Sequence, residues 1–286
     1  MKTDHLPVKT PFDAKLLPPI SHPNYQLWRN YAQFARARGE LAADILESFQ
    51  PLKSRTILDI GCGEGGTACA LAARGARVRA IDFNPARVKK LQNQLNPPNL
   101  TVELGHAEKL KASNACFDVI ILQDVLEHLP HPEKAVSEMC RVLKPNGLLY
   151  LSTPNRWSPF NFLSDPHWNL PMVSALSRKW VKIFITQIVR REHAVRADFA
   201  ALLSLYKIRK MFSENQIALQ FVNKKVTQRL FEQPHAVVNS EFHLRIIRWL
   251  NSLGLKRPFT TVVNDRFGLF NFIINPTWYF VGQKMI

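Results

Sequence analysis

"LDIGCGEGG", residues 58–66, is the stretch on which the reading of the fold turns. An apolar run, "RTILDI" (55–60), leads into it, and "GTACALAARG" (66–75) follows as a short helix ending at a glycine. In a strand, glycine loop and helix of this kind, main-chain N–H groups face an anionic or nucleotide-like ligand. Gly61, Gly63 and Gly65 let the backbone turn tightly and leave room for that ligand to approach. The same run fits G-x-G-x-x-G through Gly61, Gly63 and Gly66, so a dinucleotide competes for the site at this point.

Strand and helix patterns alternate outward from the loop. Strands are expected at 77–82, 100–105, 117–123 and 148–154, and helices at 84–95 and 131–143. Asn84 is placed as the helix N-cap, with Pro85 in the first turn. Apolar strands alternating with helices predict a parallel sheet covered on both faces, an α/β fold. Upstream, a proline-rich lead-in (1–24) precedes apolar residues at helical spacing from Tyr25 to Phe49, with Gly39 separating two helices. Downstream, helical stretches over 156–204, a helix at 204–216, a strand at 217–226, a helix at 240–254 and a closing strand at 277–284 are expected. The chain thus divides into an N-terminal extension (1–50), a ligand-binding core (51–155) and a largely helical part carrying the last two strands (156–286).

Two aspartates bear on the ligand. Asp82 ends the second strand, 21 residues after Gly61, where a carboxylate can accept from both hydroxyls of a ribose. Asp59 lies inside the first strand, and a buried carboxylate there needs hydrogen bonds or a nearby positive group. A methionyl ammonium is such a group, whereas the pyrophosphate of a dinucleotide would be repelled. A local cap onto the loop's own N–H groups is the competing account of Asp59.

"LDIGCGEGG", "AIDFNP", "GHAEKL" and "FDVIILQDVLEHLPHPEKAVSEMCRVLKPNGLLYLSTPN" together resemble the successive motifs of class I S-adenosylmethionine-dependent methyltransferases, over roughly residues 55–155. The resemblance implies a Rossmann-like, seven-stranded sheet whose last strand is antiparallel, an enzyme, and S-adenosyl-L-methionine as cofactor. It implies that Asp82 binds the ribose, that Ala107 and Glu108 flank the adenine and that Gln123 lies beside the cofactor. Asp59, Gly61, Cys62, Gly63, Gly65 and Phe83 complete the candidate cofactor residues. His106 stands where many relatives carry an aspartate, which weakens the adenine assignment at that position.

The segment "QDVLEH" (123–128) leaves the fourth strand at the end where ligands sit in this fold. Asp124, Glu127 and His128 resemble a segment shared by two metal-using branches, the ubiquinone-pathway O-methyltransferases and the small-RNA 2′-O-methyltransferases. In the RNA branch a further histidine follows the "STPN" strand, and His167 stands twelve residues after Asn155. Asp124, Glu127, His128 and His167 are therefore candidate ligands for a divalent cation such as Mg2+. Without a metal, His128 or His167 is a candidate general base. Structural roles compete: Glu127 as a backbone cap, His128 bonded to a loop, His131 at the surface.

The formal net charge is +16, and residues 156–286 hold 19 Lys and Arg against 7 Asp and Glu. That excess points to solubility, an anionic membrane face or a polyanion. "SALSRKWVKIFITQIVRR" (174–191) reads as a basic amphipathic helix, with Leu176, Trp180, Phe184 and Ile188 in one stripe, widened by Val181 and Ile185. A lid packed over the sheet is the plainer account of the same stripe. The six tryptophans, all outside the common core if Trp278 is counted, suggest an aromatic acceptor pocket. Four cysteines without a CxxC pair fit a reduced, cytoplasmic protein. The start lacks a signal-peptide core, and the longest uncharged stretch, 267–283, is too short and broken to span a bilayer. The expected activity is O-methylation of a small or lipid-linked acceptor, with peripheral membrane association. RNA methylation and a catalytically silent scaffold are the alternatives, and nucleic acid is the weaker partner because no RNA-binding module is recognisable.

Overall fold

Four of the strands are short apolar runs that the chain buries on both faces. The structure, a computed structural model, describes residues 25–95, 97–168, 170–189, 199–238, 241–268 and 270–285. The proline-rich lead-in lies outside them. Seven strands are hydrogen-bonded in the order β3-β2-β1-β4-β5-β7-β6: β1 Thr56–Ile60, β2 Arg77–Asp82, β3 Leu100–Leu104, β4 Phe117–Gln123, β5 Leu143–Pro154, β6 Ile217–Phe221 and β7 Thr277–Lys284. The strand order reverses between β1 and β4, the topological feature beside which open α/β sheets bind ligands. The chain forms two compact units, and β4 gives Phe117–Ile120 to the first and its last three residues to the second.

The first unit holds the residues up to His106, those four of β4, and Lys224–Val262. β1, β2 and β3 run parallel, with Ile57 opposite Val78 and Val78 opposite Leu100. Ile57, Leu58, Ile60, Val78, Ala80 and Ile81 are all buried, as a sheet covered on both faces requires. Helix α1 (Tyr25–Glu47) lies against α2 (Gly66–Ala73). It runs unbroken through Gly39, where the sequence predicted a break. A Cβ at Gly39 would come within 2.7 Å of Ala70 Cβ and Thr67 Cα, and one at Gly66 within 2.7 Å of the α1 backbone at Ala35 and Arg36. The glycine there serves close approach of two helix backbones, not a turn. Arg74, just past α2, donates to three α1 carboxylates, Glu40 at 2.8 Å, Asp44 at 2.7 Å and Glu47 at 2.5 Å. Helix α3 (Pro85–Gln94) starts as expected, with Asn84 Oδ1 accepting from the N–H groups of Ala86 and Arg87.

The second unit holds Ala107–Cys116, Ile121–Asn223 and Val263–Ile286. Helix α4 (Pro132–Val142) hands directly to β5, and β7 pairs antiparallel with both β5 and β6. The strand expected over 217–226 stops at Phe221. The reason is Asn223, whose Oδ1 accepts the Tyr279 N–H at 3.2 Å and whose Nδ2 donates to Asn271 at 3.1 Å. The Val222 N–H still donates to Tyr279 O at 3.0 Å, but a side chain takes the place of the backbone acceptor for the reciprocal bond. After β5 come α5 (Pro159–Leu163), α6 (Arg178–Ile183), a π-helical turn (Phe184–Val189) and α7 (Leu205–Glu214).

The expected amphipathic stripe of 174–191 divides in the fold. Val181 and Ile185 are buried with Trp168, Val173 and Phe199, and Leu176 and Phe184 pack against them, while Trp180 faces outward. Arg190 and Arg191 lie outside the described residues. Of the tryptophans, Trp168 and Trp278 are core residues and Trp157, Trp180 and Trp249 are exposed, so among the described residues they do not line one aromatic pocket. The four cysteines are free thiols. Among the described residues no helix is long and apolar enough to cross a membrane.

The close approach at Gly39 predicts a sign. Gly39→Ala gains about 1 kcal/mol of helix propensity, but forcing a methyl against backbone atoms costs about 1–3 kcal/mol. The variant should therefore unfold at lower urea concentration than the native chain, and an unchanged or higher midpoint would refute the close-packing account.

Candidate active site

The loop after β1 carries the candidate cofactor residues of the first unit. Gly61, Gly63 and Gly65 have φ of 71°, 54° and 77°, left-handed values that exclude most side chains. A Cβ at Gly63 would have only Gly61 O, at 4.0 Å, within reach, so the space above the loop is open. Asp82 fastens the loop from β2: its Oδ2 accepts the Gly63 N–H at 3.0 Å and its Oδ1 the Asn84 N–H at 2.9 Å. Arg87 stands 3.9 Å from the same carboxylate. Phe83 is half exposed beside it.

Asp59 is in a different condition. It is 2% exposed, and its Oδ2 has no hydrogen-bond partner. Burial, and then the negative charge of Asp82, push its carboxyl up to about 7. The capping role weighed for Asp59 leaves that oxygen unexplained. Burial, with Asp59 and Asp82 nearby, also holds the Cys62 thiol well above its usual range.

The remaining cofactor candidates belong to the second unit. Ala107 is buried, and Gln123 is half-buried at the end of β4. Glu108 Oε1 accepts the His131 N–H at 2.7 Å, so this carboxylate secures the start of α4.

The acid–histidine cluster also lies in the second unit. Beyond β4 the chain makes a tight 3₁₀ turn, Leu126–His128, which turns Glu127 inward to complete burial. Thr153 Oγ1 on β5 donates to Glu127 Oε2 at 3.0 Å. Glu127 Oε1 faces His167 Nε2 at 3.5 Å, an ion-pair distance longer than a good hydrogen bond, and neither atom has another hydrogen-bond partner. The His128 and His167 rings meet edge to face with centroids 4.7 Å apart. One ligand atom from each of Glu127, His128 and His167 can be chosen so that all lie within 4.8 Å of one another. Asp124, proposed with them from sequence, does not join that group. Its backbone is left-handed, with φ of 51°, and its Oδ1 accepts from Ser152 Oγ at 2.9 Å. His131 is exposed at the start of α4.

His167 is set in place by its own segment. Asp165 Oδ1 accepts the N–H groups of His167 at 2.9 Å and Trp168 at 3.1 Å, and buried Trp168 stacks on Phe199. Burial alone would lower the His167 pKa, but the nearby Glu127 carboxylate, supported by Asp165 and Asp124, outweighs it and raises the imidazole above its ordinary value. Arg178 turns in and donates to four main-chain carbonyls, those of Glu127 (2.7 Å), His128 (3.1 Å), Leu129 (2.7 Å) and Phe199 (2.6 Å). Thr153, Asp165 and Arg178 were missed from sequence. "DPH" is a readable turn signal for Asp165. Nothing local announces that Arg178 bonds residues about 50 positions away.

The fold defines the class: a seven-stranded, mixed Rossmann-like sheet of the class I methyltransferase type. A family described as "Methyltransferase domain" matches residues 58–151, so this part of the chain is similar to a methyltransferase domain. Within it the chain is 35% identical over 115 residues to a ubiquinone biosynthesis O-methyltransferase of Paracidovorax citrulli, covering 39% of this chain and 48% of that protein. It is 38% identical over 109 residues to the protein of the same name from Thiobacillus denitrificans, covering 37% and 47%. The chain thus spans about half the length of the curated relatives it matches. Among solved structures, an S-adenosylmethionine-dependent methyltransferase from Mesorhizobium loti superposes with a TM-score of 0.55 at 12% identity, over 87% of this chain and all of that one. One from Methanosarcina mazei gives 0.50 at 15% identity, over 85% and 97%. At such identities the superpositions speak for the fold alone.

The family implies S-adenosylmethionine, and the first unit fits it. The orphaned, buried oxygen of Asp59 calls for a donor or a cation, and the space above Gly63 is open.

As a ribose ligand, Asp82 predicts that Asp82→Ala weakens S-adenosylhomocysteine binding by about 1–3 kcal/mol in calorimetry. Unchanged affinity in a folded variant would remove Asp82 from the site. Asp59 predicts a pH effect whose sign follows from its raised pKa. The folded state keeps the proton up to about pH 7 while the unfolded state loses it near 3.8, so the free protein loses stability as pH rises through that window. Asp59→Asn should therefore melt higher than the native chain at pH 8 yet bind S-adenosylhomocysteine more weakly. Lower melting together with undiminished binding would contradict both halves.

Proposed function

We propose that this chain is an S-adenosylmethionine-dependent O-methyltransferase acting on a small or lipid-linked hydroxyl acceptor, in the cytoplasm and at a membrane surface. The observation that carries the reading is the buried Glu127 carboxylate set against two histidines, in a chain whose residues 58–151 are similar to a methyltransferase domain. The name of the curated relatives supports oxygen as the methylated atom. Four free thiols fit a reducing compartment.

Bound S-adenosylmethionine would supply a methyl group on a sulfonium sulfur, open to in-line displacement. The chain's own part is to orient the acceptor hydroxyl and receive its proton. During transfer, His128 or His167 would take the proton of the acceptor hydroxyl. Glu127, 3.5 Å from His167 Nε2, would stabilise the imidazolium so formed. Glu127, His128 and His167 also form a donor set that suits a divalent cation, with coordination positions left for an acceptor oxygen. A cation there would lower the hydroxyl's pKa and take over the base's task. Asp59 and Asp82 would hold the cofactor's ammonium and ribose in either case.

The charge excess of residues 156–286 favours RNA methylation as the second reading, in which binding would fall steeply with salt.

His167→Ala should lower turnover about 10²–10⁴-fold with S-adenosylhomocysteine affinity unchanged, measured with labelled cofactor on separate lipid, polar-metabolite and RNA extracts. Methylation confined to the RNA extract would reverse the choice of acceptor. Chelation then separates the two roles of the cluster: activity lost and restored by Mg2+ supports a cation, and activity indifferent to both supports a histidine base.

A further inference from the structure

In the first unit, α8 (Asn223–Glu232), α9 (Glu241–Ser252) and α10 (Lys256–Val262) follow one another after β6. Phe231 meets Phe259 with ring centroids 5.8 Å apart, which ties α8 to α10. Helix α9 has two apolar faces. Leu244 and Ile247 are buried on one. Ile246, Trp249 and Leu253, spaced i, i+3 and i+7, form a stripe on the other, with Trp249 60% and Leu253 54% exposed. On α10, Phe259 and Val262 are also exposed, one turn apart, at 40% and 59%. A core explains the first face of α9, and nothing among the described residues of the unit covers the second.

Cations outnumber anions around that face, although Lys256 Nζ is paired with Glu232 on α8 at 3.2 Å and Glu241 opens α9. Residues 242–264 contain Arg245, Arg248, Lys256 and Arg257 and no aspartate or glutamate. Arg245 precedes the stripe residue Ile246, Arg248 precedes Trp249, and both arginines are exposed. An exposed tryptophan and aliphatic groups with guanidiniums beside them suit the boundary of an anionic bilayer: the apolar groups enter the acyl edge while the cations stay at the headgroups. A second copy meeting this face about a two-fold axis would bring the same cations together. An RNA strand could stack on Trp249 and Phe259, but Ile246, Leu253 and Val262 beside them offer it neither a stacking face nor a hydrogen bond.

We infer that α9 and α10 dock this chain on an anionic lipid surface, through Ile246, Trp249, Leu253, Phe259 and Val262, with Arg245, Arg248 and Arg257 at the headgroups. This rests on the membrane-side part of the proposed function. It is read by vesicle binding without any turnover, so its failure is distinguishable from failure of the methyltransferase reading. It also moves the docking element away from residues 174–191, whose apolar stripe is partly spent on the chain's own core.

The test is co-sedimentation of the full chain with phosphatidylcholine vesicles, with and without phosphatidylglycerol. The native chain should sediment with the anionic vesicles only, and less so as salt rises. Trp249→Glu with Leu253→Glu should lower that partition about tenfold or more, and Arg245→Ala with Arg257→Ala should lower it and flatten its salt dependence. Both double variants should keep the native melting temperature and S-adenosylhomocysteine affinity, since none of these residues lies in the candidate site. Three results would each overturn the inference: native chain that ignores anionic vesicles, native-like partition of the Trp249/Leu253 variant, or a self-association that this variant abolishes. Binding of RNA in place of anionic vesicles would do the same.

Discussion

The arrangement of the second unit depends on where the charge of Glu127 goes. A carboxylate withdrawn fully from water costs several kcal/mol unless hydrogen bonds and an opposite charge replace its hydration. The sheet supplies only Thr153 for one oxygen. The other oxygen is met by His167, which belongs to a segment beyond β5. The chain after β5 must therefore return to the turn that follows β4. Arg178 secures that return by binding the carbonyls of Glu127, His128 and Leu129 on one side and Phe199 on the other. The buried acid, the histidine that answers it and the guanidinium that closes the loop form one device. Removing any part would leave buried polar groups unpaired.

The two acids of the first unit divide a different task. Asp82 already has N–H groups on both oxygens, so the loop geometry it enforces exists without a ligand. Asp59 has an oxygen with no partner and a raised pKa, a condition that weakens the free protein at neutral pH. Such a cost is stable in a folded chain only because the surrounding strands over-determine the position, with β1 held between its neighbours. The loop is thus preformed at Asp82 and frustrated at Asp59, a frustration that a bound cation would relieve.

Much of this was legible in the sequence, for reasons that differ by element. "FDVIILQ" announces itself as a run buried on both faces and "RVRAID" by alternation at its start, and both match their strands residue for residue. Asn84 and Pro85 declare a helix start by local chemistry. Gly39 was misread because glycine has two uses, ending a helix or letting two helices touch, and only the partner at Gly66 tells them apart. The strand at 217–226 was drawn too long because Asn223 acts through Tyr279 and Asn271, far along the chain. In the candidate site, the pairing of His128 with His167 followed from topology, since both leave neighbouring strands. The exclusion of Asp124 from their group rests on a left-handed backbone and on Ser152, neither visible in spacing.

The basic charge shows the same limit of counting. Part of the excess in residues 156–286 never reaches the surface as free charge. Arg156 donates to the carbonyls of Ala175 and Leu202, Arg178 to four carbonyls, and Lys284 to the carbonyls of Cys140 and Leu143. A cation that bonds main-chain carbonyls satisfies polar groups without cancelling any charge, so such a chain has a high formal charge for structural reasons. Burial even lowers the pKa of Arg156, a sign that its guanidinium is held by acceptors and not by anions. What remains for an external partner is the charge that has no such duty. In residues 242–264, Arg245 and Arg257 are exposed beside apolar groups while Lys256 pairs with Glu232 and Arg248 contacts His235; in the second unit the exposed Lys179 and Lys182 flank an Arg178 that bonds main-chain carbonyls. Local freedom of charge, not its total, decides which surface can attract an anionic partner.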